Sequence, residues 1–195
     1  AMFTMVQTPS TMLDLGTEAP DFTLPEPLTG RQVSLCDYAG KPLAVVFSCN
    51  HCPYVLHIID SFVEFANAAL QRGLAVVMIS SNDAAGYPQD SPPKMAEFAR
   101  THAFEFPYLY DESQQVAVAY QAACTPDFYL FDDAHRLVYR GQYDGSRPGN
   151  TEPVSGTDLR AAVDALLDGK AISNAQIPSV GCNIKWRADN AAVQG

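Results

Sequence analysis

Long apolar runs are missing from this chain. No stretch approaches the roughly 20 apolar residues that a membrane-spanning helix requires, so no such helix is expected. Positive charge is scarce: 12 Lys and Arg face 22 Asp and Glu, a net charge of −10. Such a chain repels phosphate backbones and anionic headgroups, which argues against nucleic-acid and membrane partners. The opening residues hold no basic segment leading into an apolar run, so no secretory signal is read there and a cytoplasmic location is the expectation. A second Cys-x-x-Cys is absent, and His57, His102 and His135 show no partner spacing. Structural zinc usually takes four such ligands, so no metal ligand and no cofactor is expected. Internal repeats and low-complexity tracts are also absent.

What is present is apolar enough to fold. Hydrophobic residues make up 47% of 195 positions, enough for one compact α/β domain with a buried core. That domain is expected to span residues 1–195, with 1–15 as an extended lead-in and 171–195 as a tail packed on it. Thr29-Gly30 is a turn signal before the alternating Gln32-Val33-Ser34-Leu35, so residues 22–35 are expected to form an edge hairpin. Leu43 to Ser48 is a short apolar run rich in valine, the mark of a buried parallel strand. Val55, Ile58, Ile59, Phe62, Val63, Ala66 and Leu70 recur at helical spacing up to Gly73. Leu74 to Ile79 reads as a second buried strand, and the loop to Pro93 is polar. Prolines 92 and 93 suit the first turn of a helix over about 93–102. A short extended piece over 106–110 and a helix over 113–121 follow. A strand in 127–132, a turn and a strand over 137–143 come next, then a helix over about 158–168. The tail from Ile172 has no clear period. This order gives parallel strands joined by helices and then an antiparallel pair: a three-layer α/β domain.

The chemistry concentrates at Ser48-Cys49-Asn50-His51-Cys52-Pro53, where a buried strand meets a helix. A two-residue spacer lets two sulfurs meet within one turn. The helix N-terminus offers unpaired N–H groups and partial positive charge, both of which favour thiolate. Cys49 is expected to attack a substrate disulfide, and Cys52 to resolve the mixed disulfide. Asn50 and His51 are the supporting spacer residues. A histidine side chain can be protonated near neutral pH, and His51 is expected to tune the potential of the pair.

Several segments resemble a known family. Ala19-Pro20-Asp21-Phe22, Gly30-Arg31-Gln32-Val33-Ser34-Leu35, Asp37 and Gly40-Lys41-Pro42 resemble the N-terminal half of thioredoxin-fold, peroxiredoxin-like proteins of the AhpC/TSA type. Pro178 to Trp186 resembles a C-x-x-C subgroup of them. The resemblance covers roughly residues 16–187. It implies a thioredoxin-like fold, with a central mixed β-sheet, helices on both faces and an N-terminal hairpin. Thr125-Pro126 resembles the thioredoxin cis-proline loop, which implies that these two residues face the cysteine pair and bind substrate. A protein or small-molecule disulfide as substrate, and a thiol donor such as a thioredoxin or glutathione system, are the implied partners.

Three departures separate this chain from its relatives. Peroxiredoxins carry T-x-x-C with the peroxidatic cysteine second, and Cys49 stands where the threonine would be. The peroxiredoxin arginine on the later strand is replaced by Pro126. The buried acid that thioredoxins hold in the strand before the motif is missing from Leu43 to Ser48. A peroxidase is the alternative function, with Cys52 peroxidatic, Cys49 resolving and Arg147 in the loop Gly145 to Asn150 substituting for the arginine. Otherwise Arg147 is solvated or holds its own loop. A third reading is a thioredoxin-fold metal carrier, since paired thiolates suit Cu(I). Cys124 reads as a small buried residue beside Thr125-Pro126. Cys182 reads as a packed residue near Ile184 and Trp186, with a further resolving thiol as the other option. Cys36 is expected to be a buried thiol.

Overall fold

The computed structural model describes residues 7–194. A short strand β1 (Gln7–Pro9) opens it, followed by a hairpin of β2 (Thr23–Pro25) and β3 (Gln32–Ser34). Then come β4 (Leu43–Ser48), α1 (Pro53–Leu70) and β5 (Ala75–Ser80). Every residue of β4 and of β5 is buried, and the two pair in parallel from Leu43 opposite Ala75 to Ser48 opposite Ser80. Apolar side chains on both faces of a strand are what a sheet covered on both sides demands. Gly73, at φ +96°, lets the chain leave α1.

The second half continues with α2 (Pro92–Thr101), β6 (Tyr108–Tyr110), α3 (Gln115–Ala119), β7 (Cys124–Thr125), β8 (Asp127–Phe131) and β9 (Leu137–Gly141). Last are α4 (Thr157–Leu167), β10 (Val180–Asn183) and α5 (Ala188–Gln194). The central sheet runs β6-β5-β4-β8-β9, with β6, β5 and β4 parallel and β8 and β9 antiparallel. Its alternate residues feed two cores. Ala44, Val46, Val76, Met78 and Phe128 face α1, α2 and α4; Val45, Phe47, Val77, Ile79 and Tyr129 face α3 and the N-terminal hairpin. Each fully buried aromatic such as Phe62 or Phe128 contributes roughly 1.5–3 kcal/mol. The segment order implies a three-layer α/β domain, and this is the thioredoxin-like fold that the resemblance implies.

Two expectations are corrected. Cys36 is exposed rather than buried, because a 3-10 turn over Leu35–Tyr38 carries it past the hairpin and turns it to solvent. The tail is not without regular structure: β10 lies between β1 and β7 in a second, three-stranded antiparallel sheet. Ile184 is buried beside it and Trp186 packs on the same core, as anchors of the tail.

Candidate active site

Ser48 ends β4 in full burial, and the chain turns through Cys49, Asn50 and His51 to Cys52, the N-cap of α1. Pro53 takes the first helical position, where no N–H is needed. The spacer is held by a buried carboxylate. Asp90 accepts the Asn50 backbone N–H (2.8 Å) on one oxygen and Asn82 Nδ2 (2.9 Å) on the other. His51 Nδ1 lies 2.7 Å from that second oxygen but off the direction of a ring N–H bond, while its ring stacks on Tyr87. Asn50 is fixed further: its Nδ2 donates to the Gln89 carbonyl (3.0 Å), and its Oδ1 accepts from Tyr108 (2.7 Å).

Across from this turn the Thr125–Pro126 peptide is cis. Thr125 Oγ1 is 3.6 Å from Cys49 Sγ, and a protonated Cys52 donates to the Thr125 carbonyl at 3.4 Å. A third sulfur completes the group. Cys182 Sγ is 2.6 Å from Cys52 Sγ, where a disulfide bond measures about 2.05 Å. The strand pairing explains the approach, since Cys182 stands directly opposite Thr125 in the β10–β7 register. Gly181 permits it: a Cβ there would run into the Thr125 carbonyl. The three sulfurs are nearly sealed, with 1%, 0% and 5% of Cys49, Cys52 and Cys182 exposed.

Burial alone favours the thiol form. Cys49 follows that rule: loss of solvent, together with donation of its hydrogen bond to Cys52, holds its pKa well above the usual value. Cys52 goes the other way. Hydrogen bonds from the Cys182 and Cys49 thiols push its pKa far down despite burial, and the Val55 and Cys182 N–H groups add to this. Cys182 is raised for the complementary reason, as donor to Cys52. The thiolate preference expected at Cys49 therefore falls on Cys52. The reason is that Cys52, not Cys49, occupies the N-cap and collects the donors.

Arg147 lies beside Pro126 along a cavity of about 20 Å³ that Tyr54 and Ser179 also line and that has room for about one water. Its guanidinium is occupied by the Asp144 and Ser146 carbonyls and by Gln142 Oε1, at 2.7–3.0 Å. It holds its own loop. Cys124 is fully buried against the carbonyls of Pro126 and Ser179. Cys49, His51 and Asp90 each offer one ligand atom, all within 4.8 Å of one another. Both Asp90 oxygens already accept hydrogen bonds, so that carboxylate serves the spacer as it stands.

Two contributors escape the sequence reading. Asp90 sits in the polar loop between β5 and α2, where no periodicity marks it. Asp127 follows the cis-proline, fully buried, and burial pushes its pKa up to about 8 against a single side-chain hydrogen bond from Tyr129. It lies on the strand beside β4, opposite Phe47, and acts on Cys124 rather than on the cysteine pair.

The central sheet, the cis-proline and the paired cysteines define a thioredoxin-like protein. A solved Chlorobium tepidum protein described as a "putative Thiol:disulfide interchange protein DsbE", 21% identical, shares this fold with a TM-score of 0.62 over 80% of this chain and 99% of its own. Residues 15–140 match the AhpC/TSA family, and the chain belongs to it. An uncharacterized conserved protein of Geobacillus kaustophilus is 48% identical, with a TM-score of 0.92 over 94% of this chain and 98% of its own. A Mycobacterium tuberculosis protein named "Putative peroxiredoxin" is 35% identical over 59% of this chain and 68% of its own. The thiol-disulfide oxidoreductase ResA of Geobacillus kaustophilus is 28% identical over 67% of this chain and 71% of its own. At the level of the family, then, the chain is an oxidoreductase.

Proposed function

We propose that this chain is a thiol–disulfide oxidoreductase that cycles Cys49 and Cys52 between dithiol and disulfide. The observation that carries the reading is the pair of sulfurs at the start of α1, both in contact with Thr125 of the cis peptide. Cys52, the sulfur that collects donors, attacks a substrate disulfide and displaces one substrate thiol. Cys49 then attacks Cys52 in the mixed disulfide, closes the Cys49–Cys52 bond and releases the second thiol. Thr125 and Pro126 flank the bound substrate. An external thiol donor, such as a thioredoxin or glutathione system, returns the pair to the dithiol. An odd set of five cysteines suits a reducing compartment, and we assign the protein to the cytoplasm. Insulin disulfide reduction should fall to background in Cys52→Ser, by about a thousandfold or more. Activity that survives this change overturns the reading.

A second reading has its own support. Cys52 stands at the position of the peroxidatic cysteine in the family, and it is the sulfur driven toward thiolate. A hydroperoxide would convert it to a sulfenic acid with release of an alcohol, and Cys49 would condense with that acid to give the disulfide and water. Because Arg147 holds loop carbonyls, Arg147→Ala should lower peroxide consumption and disulfide exchange equally and modestly. A steep loss confined to stopped-flow peroxide consumption shifts the function to the peroxidase.

A further inference from the structure

The site holds one thiol more than the cycle above uses. Cys182 Sγ approaches Cys52 Sγ to 2.6 Å on the side of β10, and Cys49, in the same turn, shares with Cys52 the contact to Thr125. Cys52 is thus the centre of three sulfurs rather than one member of a pair. The contact is built into the backbone. The register puts Cys182 opposite Thr125, and Gly181 lets β10 press against the Thr125 carbonyl. The following segment is fastened as well: Lys185 N–H donates to Asn82 Oδ1 (2.9 Å), Asp83 N–H to the Lys185 carbonyl (2.8 Å), and Gln114 Nε2 to that carbonyl (2.9 Å). Asn82 is in turn bonded to Asp90, which holds the Cys49–Cys52 spacer. One network therefore positions all three sulfurs.

We propose that Cys182 is a third redox thiol, which takes over the disulfide of the site by forming a Cys52–Cys182 bond. The inference rests on the oxidoreductase reading, which supplies the Cys49–Cys52 disulfide. Cys182 Sγ attacks Cys52 Sγ; the Cys52–Cys182 bond forms as the Cys49–Cys52 bond breaks. The proton of Cys182 ends on Cys49. The chain keeps one disulfide throughout, so the step needs neither oxidant nor reductant. Its outcome is a Cys49 thiol restored beside Thr125, with the oxidising equivalent moved to the tail strand. By the same geometry Cys182 can resolve a mixed disulfide on Cys52 when Cys49 is missing.

The test is peptide mapping of the full chain. The protein is equilibrated in a glutathione redox buffer, quenched in acid, alkylated and digested without reduction. The wild type should yield both the Cys49–Cys52 and the Cys52–Cys182 linked peptides, with partial loss of Cys182 alkylation. Cys49→Ser should yield the Cys52–Cys182 peptide alone. Cys49→Ser combined with Cys182→Ser should instead hold glutathione as a stable adduct on Cys52. The wild-type result depends on no substitution, so a variant that fails to fold leaves the test intact. A wild type with only the Cys49–Cys52 link and fully alkylated Cys182 overturns the proposal. If insulin reduction still depends on Cys52 in that case, the oxidoreductase reading stands without the relay. Reduction that survives Cys52→Ser removes that reading as well.

Discussion

The two faces of the small sheet β1-β10-β7 each carry a thiol, and the surroundings differ. Cys182 pairs across the sheet with Thr125, and Asn183 pairs with Cys124. Side chains alternate along a strand, so Cys182 and Thr125 share the face toward Cys49 and Cys52, and Cys124 points away. On that far face Cys124 meets carbonyl oxygens and lies near Asp127; burial and that acid keep it protonated. On the near face Cys52 also meets a carbonyl, that of Thr125, but the S–H and N–H donors around it prevail and drive it toward thiolate. Both sulfurs are fully buried. Desolvation therefore does not separate a structural thiol from a reactive one here. The balance of donors and acceptors around each sulfur does.

The far face should show the larger thermodynamic signature. Asp127 has a folded pKa of about 8, above the unfolded value of about 3.9. The native state thus binds the extra proton between those values, and stability should decline as pH rises from about 4 to 8. The slope should approach 1.4 kcal/mol per pH unit. Urea melts across that range should show the decline in the wild type and a clearly shallower one in Asp127→Asn, where the raised Asp111 remains. Equal slopes would place no raised acid on this face.

The near face should respond next. Asp90→Asn keeps the shape but turns one of the two acceptor oxygens into an NH2 donor, so either the Asn50 N–H or the Asn82 amide loses its acceptor, and it removes the charge beside His51. A loss of about 2–3 kcal/mol is expected. The pH profile of Cys49 alkylation should shift toward lower pH with it, because the Asp90 charge raises that thiol's pKa, and a change in stability alone does not produce this. Gly181→Ala pushes a methyl group into the Thr125 carbonyl and should cost about 1–3 kcal/mol, read as a lower urea midpoint. The smallest effect belongs to Cys124→Ser. Disulfide reduction should stay within about twofold of wild type, since the residue touches none of the three sulfurs by hydrogen bond. A Cys124→Ser variant as inactive as Cys52→Ser would erase the contrast between the faces.

The central sheet was legible because its segments are long and strongly patterned. Six valine-rich residues in β4, and seven apolar positions at helical spacing in α1, leave little choice of structure. The cysteine pair and Thr125-Pro126 were legible as motifs. The small sheet was not. Its strands are two to four residues long and carry Pro9 and Gly181, so no period can build up. Cys182 is read as packing for that reason, although it touches Cys52. Asp90 was hidden differently. Its role depends on a loop returning to the spacer forty residues earlier, a tertiary contact without a local signature. The thiolate fell on Cys52 because two of its donors are other sulfurs, one of them 130 positions away.

The position of β10, after every other element of the site in sequence, bears on synthesis. A polypeptide emerging from the ribosome exposes Cys49, Cys52 and the Thr125–Pro126 edge well before residues 180–183 exist. Until β10 slides between β1 and β7, the growing chain presents a bare strand edge and an uncovered dithiol. Its redox behaviour at that stage is that of an open pair, and the sealed three-sulfur centre forms only once residues 180–183 have left the tunnel.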